Sequence, residues 1–277
     1  MTEPRPTQLE YWNSKVAEEW VRQADRTDAM FTALTQAGLD ALQLQRGERV
    51  LDIGCGAGDT SLKAARAVGS GGRVVGVDIS RQLLDLGRER AGGLNVDLIE
   101  ADAGAGAAPG APFDAAFSRF GVMFFDDPPA AFANVRASMK PGGRLVFICW
   151  RAFPENVWSF APVGALAPLL AAPLPPPDES LPGPFAFANA GKIEAILAAA
   201  GWRGVSITPW DGALRVGANA EDAADYLLKI GPSARAIAEH GLEPAAARRL
   251  IVNRLAEAQS ADGVALAAAC WIVRATA

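Results

Sequence analysis

Residues 50–61 read VLDIGCGAGDTS, and their types and spacing point to one kind of chemistry. Val50, Leu51 and Ile53 make a buried strand around a single carboxylate, Asp52. The strand runs into Gly54-Cys55-Gly56-Ala57-Gly58, and a helical pattern follows. Strand, glycine turn and helix in that order form the front of a nucleotide-type binding crevice, where glycine lets the backbone approach a ligand closely. A second apolar strand, Val74-Val75-Gly76-Val77, ends in Asp78, placed to accept hydrogen bonds from both hydroxyls of a ribose. The spacing is GxGxG rather than the dinucleotide GxGxxG. Asp52 sits inside an apolar strand, and a buried carboxylate needs partners.

These residues must be held by regular elements. The pattern predicts strands near 49–53, 73–78, 96–100, 113–118 and 143–149, with helices over about 59–67, 80–91 and 128–139. Ser80 suits the N-cap of the second of these helices, and Pro141-Gly142-Gly143 should end the third before the fifth strand. Alternating strands and helices give an α/β fold with a doubly wound, mostly parallel sheet. Upstream, residues 1–7 read as a loose tail. A helix is expected over 8–26, with Trp12, Val16 and Trp20 on one face, and a second over 27–41. Both should lie across the crevice.

Downstream, residues 151–191 are rich in proline yet carry Phe153, Trp158, Phe185 and Phe187. Such a stretch cannot form long regular elements and is too apolar for a solvated linker. It reads as a cap over the crevice, with Trp150 beside it. Residues 190–200 form a helix and 202–210 a strand. Residues 221–258 are helical with breaks at Gly231-Pro232 and Gly241, and 263–275 make a last, antiparallel strand. The organisation is then an N-terminal helical lid (1–47), a core (48–150), a cap insertion (151–190), and the remainder of the core (191–277) with a helical insertion at 218–259.

The motifs VLDIGCGAGDTS, GRVVGVDIS (72–80), EADAG (100–104), FDAAFSRFGVMFFDDP (113–128) and KPGGRLVFICW (140–150) together resemble the class I S-adenosylmethionine-dependent methyltransferases, in the ubiquinone/menaquinone-biosynthesis-type group. The resemblance covers about residues 48–150. It implies a seven-stranded Rossmann-like sheet and S-adenosyl-L-methionine as cofactor, with S-adenosyl-L-homocysteine as product. Gly54, Cys55, Gly56 and Gly58 would then underlie the methionine and ribose, Asp52 would serve the ammonium directly or through water, and Asp78 the ribose. Ile79 would pack on the adenine, with Asp102 and Ala103 reading its amine. Ser118 and Arg119 would line the methyl-transfer point, unless Arg119 simply pairs with Asp126 or Asp127. Trp20, with Trp12 and Asn13, either closes an aromatic lid that excludes water from a sulfonium or packs as ordinary helix core. Trp12, Trp150, Phe153, Trp158, Phe185 and Phe187 are the candidate acceptor walls.

The 277 residues carry a net charge of −5 and are half hydrophobic, which favours a sizeable core and argues against nucleic acid or an anionic membrane as partner. No apolar stretch is long enough to span a bilayer, and no signal-type segment opens the chain. Three scattered cysteines, Cys55, Cys149 and Cys270, suit a reducing cytoplasm and make neither a disulfide framework nor a metal site. His240, the single histidine, reads as a helix C-terminus beside the cap Gly241. No catalytic residue is assigned. The expected reaction is methyl transfer to a small, apolar or aromatic acceptor; the only macromolecular partner entertained is a second copy in a homodimer. Two alternatives stand: an NAD-dependent oxidoreductase, and a non-catalytic S-adenosylmethionine-binding module.

Overall fold

The computed structural model describes residues 7–277. The expected loose tail lies outside these residues except for Thr7, which caps the first helix by a reciprocal capping box with Glu10. The chain runs α1 (Gln8–Trp12), α2 (Lys15–Arg22), α3 (Ala24–Met30), α4 (Thr32–Leu42), β1 (Arg49–Ile53), α5 (Asp59–Val68), β2 (Arg73–Asp78), α6 (Arg81–Arg90), β3 (Val96–Glu100) and β4 (Phe113–Arg119). It continues α7 (Pro128–Ala137), β5 (Met139–Trp150), α8 (Val157–Ala165), α9 (Ala190–Ala199), β6 (Arg203–Gly217), α10 (Ala220–Leu227), α11 (Pro232–His240), α12 (Pro244–Ala256), β7 (Gln259–Ser260) and β8 (Gly263–Thr276).

The strands order as β3-β2-β1-β4-β5-β8-β6, with the two-residue β7 paired to β8. β1 to β5 are mutually parallel, and β8 is antiparallel to both β5 and β6. The order reverses at β1, whose neighbours are β2 and β4, so the crevice opens above their C-terminal ends. β1 and β4 are buried between two helical layers, which is why they read as near-continuous apolar runs: Val50, Leu51, Ala115, Ala116 and Phe117 are all within the core. Gly76 on β2 lets α5 and the turn before it lie close. A Cβ there would stand 2.7 Å from Ser61 Oγ and 2.9 Å from Cys55 Sγ.

Several expectations shift. The two N-terminal helices are four short ones, because Ser14 starts a new helix by accepting from Val16 N. Trp12 and Trp20 therefore belong to different helices, although their rings still meet at 5.6 Å. Ser80 occupies the N-cap position of α6, but its buried hydroxyl caps nothing. The Pro141-Gly142-Gly143 turn does not end α7, which stops at Ala137; it lies inside β5, where the register with β4 slips. β6 runs to Gly217, past the expected end at Trp210, because β8 pairs with it almost throughout.

Candidate functional site

Two turns at the top of β1 and β4 create the crevice floor. Gly54 N and Cys55 N both donate to Val77 O, which ties the first turn to β2. Gly54 has φ +67, and a Cβ on it would meet Gly121 Cα at 2.7 Å. A Cβ on Gly121 would meet Ile53 O at 2.6 Å. The two backbones touch, and only glycine at both positions permits it. Phe120 just before has φ +66, a strained conformation for a bulky residue. Ser118 staples the two turns: its hydroxyl donates to Ile53 O at 2.8 Å and accepts from Gly121 N at 3.2 Å.

Asp78 stands beside the glycine turn. Its carboxylate accepts from Gly56 N and Ser80 N, each at 2.8 Å, and so is aimed with acceptor capacity left over the crevice. Burial raises its pKa, against the backbone N–H groups of Ser80, Gly56 and Ile79. Asp52 lies one layer deeper and is 1% exposed. Thr60 and Ser61 hydroxyls both donate to its Oδ2 at 2.6 Å, while Oδ1 is buried without a partner.

Burial pushes the Asp52 carboxyl up to about 6, against those two hydroxyls. A raised carboxyl pKa adds stability below the unfolded value of 3.8, and that contribution is lost as pH rises through about 6. Above that pH the buried anion costs roughly 3 kcal/mol. Asp52→Asn is therefore expected to raise the thermal midpoint at pH 8 and leave it unchanged at pH 4, read by calorimetry. An unchanged or lower midpoint at pH 8 would show the anion to be fully compensated in the free protein.

A cavity of about 430 Å³ lies above these turns. Among the sequence-predicted residues, Gly54, Cys55, Gly56, Asp78, Ile79, Asp102, Ala103, Arg119, Trp12, Trp20, Trp150 and Trp158 line it. Asp102 spends one oxygen on Gly104 N at 2.7 Å. Asp52, Gly58 and Ser118 do not reach the wall; they hold the turns beneath it, Gly58 as the αL N-cap of α5. Phe153, Phe185 and Phe187 also miss it. Phe187 packs on Phe132 and Phe147 in the core, and Phe185 on Phe153, because the proline-rich segment buries its rings away from the crevice. Of that segment, Trp158 and Pro184 face the cavity.

Arg119 does not pair with Asp126 or Asp127. Its guanidinium donates to Asp28 Oδ1 and Asp59 Oδ2 at 2.9 Å each and to Thr35 Oγ1 at 2.7 Å. Arg90 holds the other oxygen of Asp28 at 3.1 Å, and Lys63 holds Asp59. Burial raises the Asp28 pKa, with Arg119 opposing. The cluster joins α3 and α4 to β4, α5 and α6.

One end of the cavity is aromatic. Phe120 stacks on Trp150 at 4.2 Å and 10°, Phe31 meets Phe120 at 5.2 Å, and Trp158 meets Trp150 at 4.8 Å. Tyr226 OH and Thr27 Oγ1 share a hydrogen bond of 3.0 Å, and burial pushes the phenol up to about 12. Asp28, Phe31, Phe120 and Tyr226 are wall residues that the sequence reading did not single out. Phe120 could have been found, since it follows Arg119 directly; Tyr226 sits on α10, which carries no motif. His240 ends α11 beside the αL residue Gly241 and does not line the cavity. The three cysteines are free and buried. Among the described residues there is no group of side chains able to hold a metal ion, and no helix is long and apolar enough to cross a membrane.

Residues 50–143 match the family model described as a methyltransferase domain. Over 114 residues, 40% of this chain, the sequence is 35% identical to the ubiquinone/menaquinone biosynthesis C-methyltransferase UbiE of Cronobacter sakazakii. The match spans 45% of that relative's length. The fold is similar to that of the YcgJ protein from Bacillus subtilis, with a TM-score of 0.57 and 17% identity over 87% of this chain and 97% of that one. It is also similar to phosphoethanolamine N-methyltransferase 2 of Haemonchus contortus, with a TM-score of 0.59 and 17% identity over 99% of this chain and 61% of that one.

Proposed function

We propose that this chain, a class I S-adenosylmethionine-dependent methyltransferase by its residues 50–143, moves a methyl group to a small, largely apolar acceptor held at the aromatic end of the cavity. The observation that carries the reading is Asp78, whose carboxylate is aimed over the glycine turn by Gly56 N and Ser80 N. The residues present fit an adenosyl sulfonium. Asp78 has acceptor capacity for two ribose hydroxyls. The Gly54–Gly121 contact lowers the floor so that a ligand can lie on backbone, and the orphaned Asp52 Oδ1 leaves negative charge beneath it without a local donor. Ile79 and Asp102 would flank the adenine, and Trp12 and Trp20 would cover the mouth from the N-terminal helices.

S-adenosylmethionine supplies a methyl group already activated by positive charge on sulfur. The protein's part is then alignment and exclusion of water. The stacked Phe120–Trp150 pair fixes one wall, and the Arg119–Asp28 bridge holds α3, which carries Met30 and leads into Phe31, over the opposite side. α1 is clipped down by Asn13, which donates to Ile79 O at 2.8 Å and accepts from Arg81 N at 3.2 Å.

A dinucleotide fits less well. Its pyrophosphate would lie at the N-terminus of α5, where the first helical residue is the carboxylate Asp59. Isothermal titration separates the readings. S-adenosylhomocysteine is expected to bind with measurable heat and NADH to give none. NADH binding without a response to S-adenosylhomocysteine would reverse the assignment.

A further inference from the structure

We propose that the acceptor reacts through an uncharged lone pair and leaves as an onium cation, its nucleophile being a weakly basic amine nitrogen or a thioether sulfur. This rests on the methyltransferase reading above and narrows its substrate class. Three features of the cavity lead to it.

The first is what the walls cannot hold. Among the described residues the lining contains five carboxylates, Asp28, Asp78, Asp102, Asp126 and Asp127, against one guanidinium, Arg119. That guanidinium is spent on Asp28, Asp59 and Thr35. The Trp158 and Tyr226 side chains at the aromatic end are engaged within the protein as well. Trp158 Nε1 donates to Asn156 Oδ1 at 3.3 Å, and the Tyr226 and Thr27 hydroxyls hold each other. A phosphate, carboxylate or phenolate would enter an acidic cavity and find no counter-charge.

The second is that the carboxylate beside the aromatic end is already committed. Asp28 is shared between Arg119 and Arg90, which occupy one oxygen each. Tyr226 stays neutral at physiological pH, and burial raises the Cys55 thiol well above its usual value. An alcohol or a neutral phenol must lose a proton to become a good nucleophile. A neutral amine or thioether need not. Its lone pair forms the new bond to the methyl carbon, the carbon–sulfur bond of the donor breaks with its electron pair staying on sulfur, and the positive charge passes from one onium to the other. No proton moves when the nitrogen is tertiary or the nucleophile is a thioether.

The third is the aromatic end itself. Phe31, Phe120, Trp150 and Trp158 meet there, the Phe31 face carrying the Arg119 guanidinium and the nearby Tyr226 face that of Arg26, and the remaining ring faces attract an onium cation. The site is thus complementary to charge that appears on the acceptor as the methyl arrives. The acceptor must be weakly basic, because an alkylamine would arrive protonated with its lone pair blocked.

Probes built on one benzene ring test this. With S-adenosylhomocysteine bound, phenyltrimethylammonium is expected to bind at least about tenfold more tightly than its uncharged isostere tert-butylbenzene, and Trp158→Leu should reduce that ratio. Equal or reversed affinities in the wild-type protein would overturn the proposal whether or not any acceptor is turned over. In turnover, N,N-dimethylaniline and thioanisole are expected to release S-adenosylhomocysteine, their mass-detected products separating nitrogen from sulfur. Faster methylation of phenol, or any methylation of benzoate, would also overturn it. Failure of S-adenosylhomocysteine to bind at all would instead strike the underlying cofactor reading, and the first titration shows which has failed.

Discussion

Arg119→Ala is expected to lower the unfolding free energy by about 3 kcal/mol, the lower part of the range for breaking a buried ion pair. The guanidinium is 13% exposed and bridges Asp28 and Asp59, which are 19% and 16% exposed. Its removal leaves two half-buried carboxylates with one cation each, Arg90 and Lys63. Those remaining partners keep the loss from the top of the range. Arg119→Lys should recover little, because an ammonium cannot hold Asp28, Asp59 and Thr35 in one planar fork. Urea unfolding at pH 8 measures the loss. It should narrow as pH falls, since the raised pKa of Asp28 lets that carboxyl neutralise early. A change under 1 kcal/mol would show that the cluster is solvated and does not brace the N-terminal helices.

Asp78→Ala is expected to weaken S-adenosylhomocysteine binding by roughly 1–3 kcal/mol, the cost of removing a charged acceptor from paired donors. The structure adds a reason to expect the upper part of that range. The same carboxylate ties Gly56 N to Ser80 N, so the glycine turn loses its brace along with the ribose acceptor. Asp78→Asn should also bind poorly, because its amide group sets a donor against one of those two N–H groups. Titration calorimetry reads both variants, and an unchanged affinity would remove Asp78 from the cofactor site.

Much of the floor of the site was legible because local rules dictate it. The GxGxG turn, the strand-end carboxylate and the parallel alternation follow from backbone sterics and from apolar runs that need two covered faces. The Gly54–Gly121 contact was not legible, since nothing local in either segment says that two turns 67 residues apart must touch. The walls were read less well than the floor. Phe153, Phe185 and Phe187 looked like acceptor contacts by composition, yet an aromatic ring gains as much from a core as from a cavity. Only the path of the backbone decides between them. Arg119 was placed at the right strand end, but the pairing offered as one of its two readings names the wrong partners. Asp126 and Asp127 are its neighbours in sequence, whereas Asp28 and Asp59 reach it across the fold.

β8 inserts antiparallel between β5 and β6, and Trp150 on β5 lies opposite Cys270 on β8. A ribosome releasing this chain has finished the 50–143 segment long before residues 263–276 emerge. Until they do, the flank of β5 that β8 will cover is an open template for pairing with other nascent chains. The parallel half of the sheet is thus closed on that side only once residues 263–276, more than a hundred residues downstream of β5, have been made.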